Sequence, residues 1–310
     1  MNQYLLAAVL GVVEGLTEFL PVSSTAHIRL AQAAIAGRAS LDDNFWKMFA
    51  VVIQLPAILA VIVYFWRRLL GFAVSFFAPG LTIAQRMRHP VTLVGIAFVV
   101  TAVPAVLAKR FIKGNLESLY VMGWALVVGG LIMYVVDRVF GERGHALSGE
   151  ATAAENAQQE GAPGPGGRID DITAMKPWHA AWIGAIQVLA AIFPGTSRSM
   201  ATIAAGQTAG LTRTTALEFS FFLSIPIMIA ACLKDLKDSL DPGDADAYIG
   251  RSLSAHDLTC IGIGSAASFV TALVVIAWFM AWVRRRGFTP FAVYRIVIGV
   301  VVLVWAGSGD

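Results

Sequence analysis

The sequence predicts an all-α protein embedded in a lipid bilayer and built as an inverted-topology repeat, each half a re-entrant helical hairpin plus three spanning helices. Three observations lead there. Charged residues make up only 14% of the chain and hydrophobic ones 57%, with a mean hydropathy of +0.70, whereas a soluble domain carries about a quarter charged residues. Six apolar runs, near 46–66, 91–108, 119–136, 215–233, 258–283 and 290–306, reach the roughly 17 to 25 residues that a crossing needs. Two further apolar regions, 4–36 and 178–211, break near the middle at prolines and hydroxyl residues.

Taken in order, the first region breaks at Pro21, Ser23, Ser24 and Thr25, so each half is too short to span. It reads as a hairpin folding back at a polar tip, a shape tolerated at membrane depth only inside protein or beside water. Its apolar start, Tyr4 to Val13, lacks a basic leader and runs into Glu14 and Glu18; it is expected to be retained rather than cleaved. Three spans follow, separated by a loop at 67–90 with four arginines and no acid. The stretch at about 141–177, containing Gly161 to Gly167, reads as a linker. The second hairpin breaks at Pro194 and Gly195 with Thr196, Ser197 and Arg198, and three more spans complete the chain. Residues 1–310 therefore form a single membrane domain, with repeat 1 at about 1–140 and repeat 2 at about 178–310.

The repeat is visible in the residues. Shifted by roughly 173 positions, Gly11, Pro21 and Ser24 fall on Gly184, Pro194 and Ser197; shifted by about 170, Phe49 and Pro56 fall on Phe219 and Pro226. An odd number of crossings per half inverts the second half relative to the first. The positive-inside rule places Arg67, Arg68, Arg86, Arg88 and Arg284 to Arg286 in the cytoplasm and the Asp-rich loop 234–257 outside. Lys109, Arg110 and Lys113 then fall on the outer side, against that rule. The net charge of +3 with a pI near 9.0 reflects these flanking anchors and does not indicate a nucleic-acid partner. Cys232 and Cys260, each in apolar sequence, read as packing residues.

The tips carry the chemistry. Glu14 and Glu18 are four apart and share one helix face, and intramembrane carboxylates are costly enough to be functional candidates. Together they can hold a hard divalent cation, Mg²⁺ or Ca²⁺, or act as a base and its partner; the bland reading is a helix face in interfacial water. Ser23, Ser24 and Thr25 open a helix whose N–H groups favour an anion, with Ser24 as nucleophile or, blandly, as a helix cap. His27 lies three residues after Ser24, in reach for proton transfer. In the second tip Arg198 offers a planar donor fork for phosphate, and Gly195, Thr196 and Ser197 line the break; the bland reading is an arginine snorkelling to the interface. Acids, hydroxyls, an imidazole and a guanidinium at paired intramembrane tips are the parts of a phosphoryl-transfer site. Glu218 and Ser220 are weaker candidates for supporting the pocket.

Glu14 to His27 closely resembles the EGLTEFLPVSST-x-H signature, and Pro194 to Ser199 the PG-x-SRS signature, of the bacterial undecaprenyl-diphosphate phosphatases of the BacA/UppP family. Val52 to Leu55, Ala125 to Gly130, Glu218 to Phe221 and Pro290 to Arg295 extend the likeness across nearly the whole chain outside the linker. The resemblance implies an inner-membrane enzyme that converts undecaprenyl diphosphate to the monophosphate, recycles the lipid carrier of cell-wall synthesis and is linked with bacitracin resistance. It assigns function to Glu14, Glu18, Ser24, Thr25, His27, Ser197 and Arg198, with the site expected to open toward the periplasm. Ala26 and Pro56 stand where the family commonly has Gly. A homodimer is compatible with such a bundle. The rival is a polyprenyl-phosphate transporter or flippase, because secondary transporters use the same inverted repeat; the unlike chemistry of the two tips speaks against it.

Overall fold

A computed structural model describes residues 2–112, 118–141, 168–241, 249 and 252–307. Helices dominate the described residues, and a bridge between extended segments pairs Ile169 with Leu211. The first hairpin is α1 (Gln3–Thr17) and α2 (Ser24–Ala36). A first span follows in two pieces, α3 (Asn44–Val52) and α4 (Gln54–Tyr64), then the short α5 (Trp66–Phe76) and α6 (Ile83–Arg88), then α7 (Pro90–Ile112) and α8 (Leu119–Val139). The second hairpin is α9 (Pro177–Ile192) and α10 (Arg198–Thr208), followed by α11 (Arg213–Leu240), α12 (Ala255–Arg286) and α13 (Thr289–Gly307).

Six stretches among the described residues are long and apolar enough to cross a bilayer: Asn44–Tyr64, Pro90–Leu107, Leu119–Val139, Arg213–Leu240, Ala255–Arg286 and Thr289–Gly307. This is the all-α multi-pass membrane protein that the apolar runs predict. The spans expose large apolar side chains outward, Val128, Leu131 and Val135 on α8 and Val270 and Val274 on α12 among them, as lipid-facing surfaces do. The largest buried cluster, which includes Phe19, Phe219, Phe221 and Phe279, packs around the two tips.

The two hairpins seat in matching ways. In α1, a Cβ on Gly11 would stand 2.3 Å from the carbonyl oxygen of Gly264 in α12; in α9, one on Gly184 would stand 2.6 Å from that of Ala97 in α7. Only glycine lets the two backbones approach so closely, the small-residue packing that membrane helices use in place of a hydrophobic drive. These are equivalent positions in the two halves, and they put each hairpin against the second span of the other half.

The structure departs from the sequence reading at three places. The first span is not one helix: Pro56 has no N–H for the carbonyl of Val52 and its ring crowds that turn, so the helix breaks at Ile53, whose carbonyl accepts the Ser268 hydroxyl at 2.8 Å. Residues 67–90 are not a plain loop but contain α5 and α6; α5 buries no residue and has basic and apolar faces, as expected of a helix lying along the membrane surface. At the tips, the match of Ser24 with Ser197 is one residue out. Ser23 and Ser197 are the N-caps of α2 and α10, and both carry positive φ, 74° and 69°. The second tip has one more residue between proline and cap. The 142–167 part of the linker, and residues 242–248, 250 and 251 of the Asp-rich loop, lie outside the described residues.

Candidate active site

The last turn of α1 ends at Glu18, and the chain returns into α2 at Ser24. That return leaves the first N–H groups of α2 and the Ser24 hydroxyl facing the break. Opposite, Arg198 is the first residue of α10. Glu18 joins them: its Oε2 accepts from the Ser24 hydroxyl at 2.5 Å and its Oε1 from Arg198 Nη2 at 3.0 Å. The tips are also tied directly, because the Ser199 hydroxyl donates to the Leu20 carbonyl at 2.9 Å. A cavity of about 180 Å³ lies at this junction, lined by Glu18, Ser23, Ser24 and Thr25 from one side and by Pro194, Gly195, Ser197 and Arg198 from the other, with Gln54 and Met228.

Most of the residues singled out in the sequence therefore meet. Gly195 adopts φ of +95° and its absent Cβ would stand 2.7 Å from the Met122 carbonyl oxygen, so only glycine fits. Ser197 uses its hydroxyl as a cap, accepting from Met200 N at 3.4 Å, and contacts the Ser199 hydroxyl at 3.0 Å. Thr196 lies in the tip, but its side chain is not part of the cavity wall. Ser24 is not the cap of α2; that position is Ser23, which leaves the Ser24 hydroxyl to Glu18.

His27 is placed differently from the expectation that it faces Ser24. Its Nδ1 lies 2.7 Å from the Ser23 carbonyl and its Nε2 2.8 Å from the Tyr294 hydroxyl, with the two rings stacked. A carbonyl only accepts, so Nδ1 carries the proton and, in the neutral ring, Nε2 accepts from Tyr294. The group that takes the Ser24 hydrogen bond is Glu18.

Glu14 lies one turn behind Glu18, fully buried, and among the described residues no donor reaches either of its carboxylate oxygens, whose side-chain neighbour is the Glu18 carboxylate; Arg198 likewise keeps Nε and Nη1 unpartnered. Unsatisfied acceptors and donors so deep in protein are rare and costly. They match a site whose other half is a phosphate and a hard cation: Mg²⁺ is commonly held by one or two carboxylates plus substrate oxygens, and Glu14 and Glu18 fit that donor set. Among the described residues no group of three or more His, Cys, Asp or Glu adds to them.

Sequence reasoning missed Gln54, exposed to the cavity at the break between α3 and α4, and Arg295, fully buried in α13. The signal for Arg295 was present: a lone arginine inside an apolar span is a functional candidate by default. Glu218 does not reach the pocket. It pairs with Arg68 at 2.7 Å, and Arg68 also holds Asp171 at 2.7 Å. Burial opposes the charge on Asp171, but the Thr173 N–H and hydroxyl and the Arg68 guanidinium outweigh it and hold that carboxyl below its usual range. The Ser220 hydroxyl contacts that of Thr202 at 2.6 Å.

The profile of the family described as Bacitracin resistance protein BacA matches residues 7–301. The chain belongs to the BacA family. Among curated relatives, the undecaprenyl-diphosphatase of Koribacter versatilis (strain Ellin345) is 50% identical over 308 residues, covering 99% of each chain. That of Novosphingobium aromaticivorans is 39% identical over 310 residues, covering 98% of each. The undecaprenyl-diphosphatase of Caldanaerobacter subterraneus subsp. tengcongensis is 34% identical over 303 residues, or 98% of this chain and 96% of the relative. The BacA match takes in both tips, the first five spans and most of the sixth.

Proposed function

We propose that this protein is an intramembrane phosphatase that hydrolyses undecaprenyl diphosphate to undecaprenyl phosphate and inorganic phosphate. The observation that carries the reading is the Glu18 carboxylate shared between the Ser24 hydroxyl and the Arg198 guanidinium where the two tips meet. A nucleophile and a phosphate-binding fork thus converge within hydrogen-bond range of one proton acceptor, as phosphoryl transfer requires. A transporter needs no such asymmetry between its tips.

In the reaction, the unpartnered Nε and Nη1 of Arg198 bind terminal phosphate oxygens, and the N–H groups at the start of α2 add to that cradle. Ser24 attacks the terminal phosphorus while Glu18 accepts its proton; the anhydride P–O bond breaks and undecaprenyl phosphate leaves. Glu18 gives that proton up to the departing undecaprenyl phosphate. Water then attacks the phosphoserine and loses a proton to Glu18, and that proton returns to Ser24 Oγ as the serine P–O bond breaks and inorganic phosphate is released. Glu14 and Glu18 would hold a divalent cation, which when bound neutralises charge on the diphosphate oxygens. His27 keeps the Ser23 carbonyl in place rather than taking the Ser24 proton.

The test is rapid-quench mass spectrometry of the detergent-purified protein with a polyprenyl diphosphate. Phosphate should appear on Ser24 before steady state, and Ser24→Ala should lose turnover. Substantial activity in Ser24→Ala with no phosphoenzyme at any time would move the attack to water. The reading also places the protein in the bacterial inner membrane with the cavity open to the periplasm, serving cell-wall lipid recycling and lowering bacitracin sensitivity. A cysteine replacing Ser252 should then be labelled from outside intact cells, and one replacing Ala84 only after permeabilisation. Both native cysteines are buried, so the background should be low. The reverse pattern would overturn the orientation, and labelling of both from one side would overturn the inverted repeat.

A further inference from the structure

Arg295 lies in α13, outside both tips and behind the wall of the cavity, with 0% of its surface exposed. A guanidinium removed from water in this way needs hydrogen-bond acceptors for its donors. Backbone carbonyls take its two Nη groups, while among the described residues its Nε has no partner. Nη1 donates to the Pro21 carbonyl at 3.0 Å, and Nη2 to those of Gly195 at 3.1 Å, Thr196 at 2.9 Å and Ala125 at 3.2 Å. Pro21 belongs to the first tip, Gly195 and Thr196 to the second, and Ala125 to α8. One side chain therefore reaches both breaks from a third element.

The surroundings are shaped to hold it there. A Cβ on Gly129 of α8 would stand 2.5 Å from Arg295 Nη2, so α8 offers glycine where the fork passes. The neighbouring residue, Tyr294, contacts His27 of α2 at 2.8 Å, which gives the same helix a second hold on the first half. Three of the four carbonyls that Arg295 takes, those of Pro21, Gly195 and Thr196, sit at helix breaks, where the backbone has no ladder to satisfy them; the fourth, Ala125, lies inside α8.

We propose that Arg295 is a positioning residue for the phosphatase reaction: its planar fork sets the distance and register between the two tips, so that Arg198 meets Glu18 and Ser24. Lysine would keep the charge but, as a point donor on a flexible stem, would not hold Pro21 and the Gly195–Thr196 pair in fixed relation. The kinetic consequence rests on the proposed phosphatase activity; the geometric one does not.

The experiment uses the full-length chain with Cys232 and Cys260 replaced by alanine, and cysteines introduced at Leu20 and Ser199, whose backbones the Ser199 hydroxyl now bridges. Disulfide yield under mild oxidation reports how closely the tips approach. Turnover is measured separately, in the chain that keeps Ser199. Arg295→Lys should remain monodisperse, cross-link more slowly, and lose about 10²-fold in kcat, the scale of a misplacement of about 1 Å, with KM changed by less than about threefold. Guanidinium ion added to Arg295→Ala should restore part of both readouts. If Arg295→Ala does not fold, the lysine variant carries the test alone. Cross-linking at the parental rate in a folded variant that has lost turnover would overturn the clamp and make Arg295 a direct participant. Normal turnover in Arg295→Ala would also overturn it. Absence of phosphatase activity in the parent would refute the proposed function, and the cross-linking comparison would still decide the clamp.

Discussion

The two tips are built alike and equipped differently. Each is a short helix, a break that contains a proline, a serine at positive φ and a second short helix, and each hairpin is seated by a glycine against a span from the other half. The first tip contributes Glu18, Ser24 and, one turn back, Glu14; the second contributes Arg198 and the glycine that lets the backbone turn. In the proposed reaction the nucleophile and its proton acceptor come from the first tip and the fixed positive charge from the second. The backbone repeat thus supplies two equivalent helix N-termini, each favourable to an anion, and the side chains divide the chemistry between them. The two breaks are alike in backbone, and it is their unlike side chains on which the proposed reaction draws.

The division can be broken from either side. Arg198→Ala removes the fork and leaves Glu18 without its ion pair, so kcat should fall by at least about 10²-fold, the usual cost of losing one oxyanion-type donor; Arg198→Lys should recover only part of it. Glu18→Gln should cost as much, because it removes both the acceptor for Ser24 and the partner of Arg198, whereas Glu14→Gln should chiefly weaken the dependence on divalent cation. Steady-state kinetics across a metal titration separates these. Equal loss of kcat in the two glutamine variants at saturating metal would dissolve the distinction between them.

A smaller effect tests the second tip's backbone. Gly195→Ala would place a methyl 2.7 Å from the Met122 carbonyl oxygen at a φ of +95°, and backbone on both sides cannot yield cheaply. The expected cost is about 2 kcal/mol or more in stability, with turnover lost along with it. Thermal unfolding of the purified variant checks this. An unchanged midpoint would mean that the second tip is looser than its contacts imply.

How much of this was legible before folding follows from what each feature depends on. Spans were readable because lipid demands apolar length, and the tips because Pro21, Pro194 and the hydroxyls interrupt it. Glu14, Glu18, Ser24 and Arg198 stood out because polar groups at membrane depth are costly. The register of the tips was off by one because the alignment followed residue identity, whereas the cap is defined by φ, and Val22 against Gly195–Thr196 gives no hint of the extra residue. The position of His27 depends on Tyr294, 267 residues away in sequence, a contact that no local pattern encodes. Arg295 showed the same intramembrane charge as the glutamates, but its role appears only when three carbonyl-bearing segments are seen together.

The smallest expected effect concerns the two strained serines, and it sharpens the comparison most finely. Both sit in a region of backbone space that disfavours any residue with a Cβ, at a cost of order 1 kcal/mol. Glycine removes that cost but adds freedom to the unfolded chain, by up to about 1 kcal/mol, so the two terms nearly cancel. What remains is the side chain's own contribution. Ser197 caps α10 through Met200 N and touches Ser199, whereas Ser23 makes no capping hydrogen bond. Ser23→Gly should therefore leave the unfolding midpoint unchanged or slightly raised, and Ser197→Gly should lower it, the two variants differing by about 0.5 kcal/mol. Ser23→Ala is the control, because it keeps the Cβ and removes only the hydroxyl. If Ser23→Gly is clearly less stable than Ser23→Ala, the positive φ at Ser23 carries no strain, and the likeness of the two caps is one of sequence rather than of backbone.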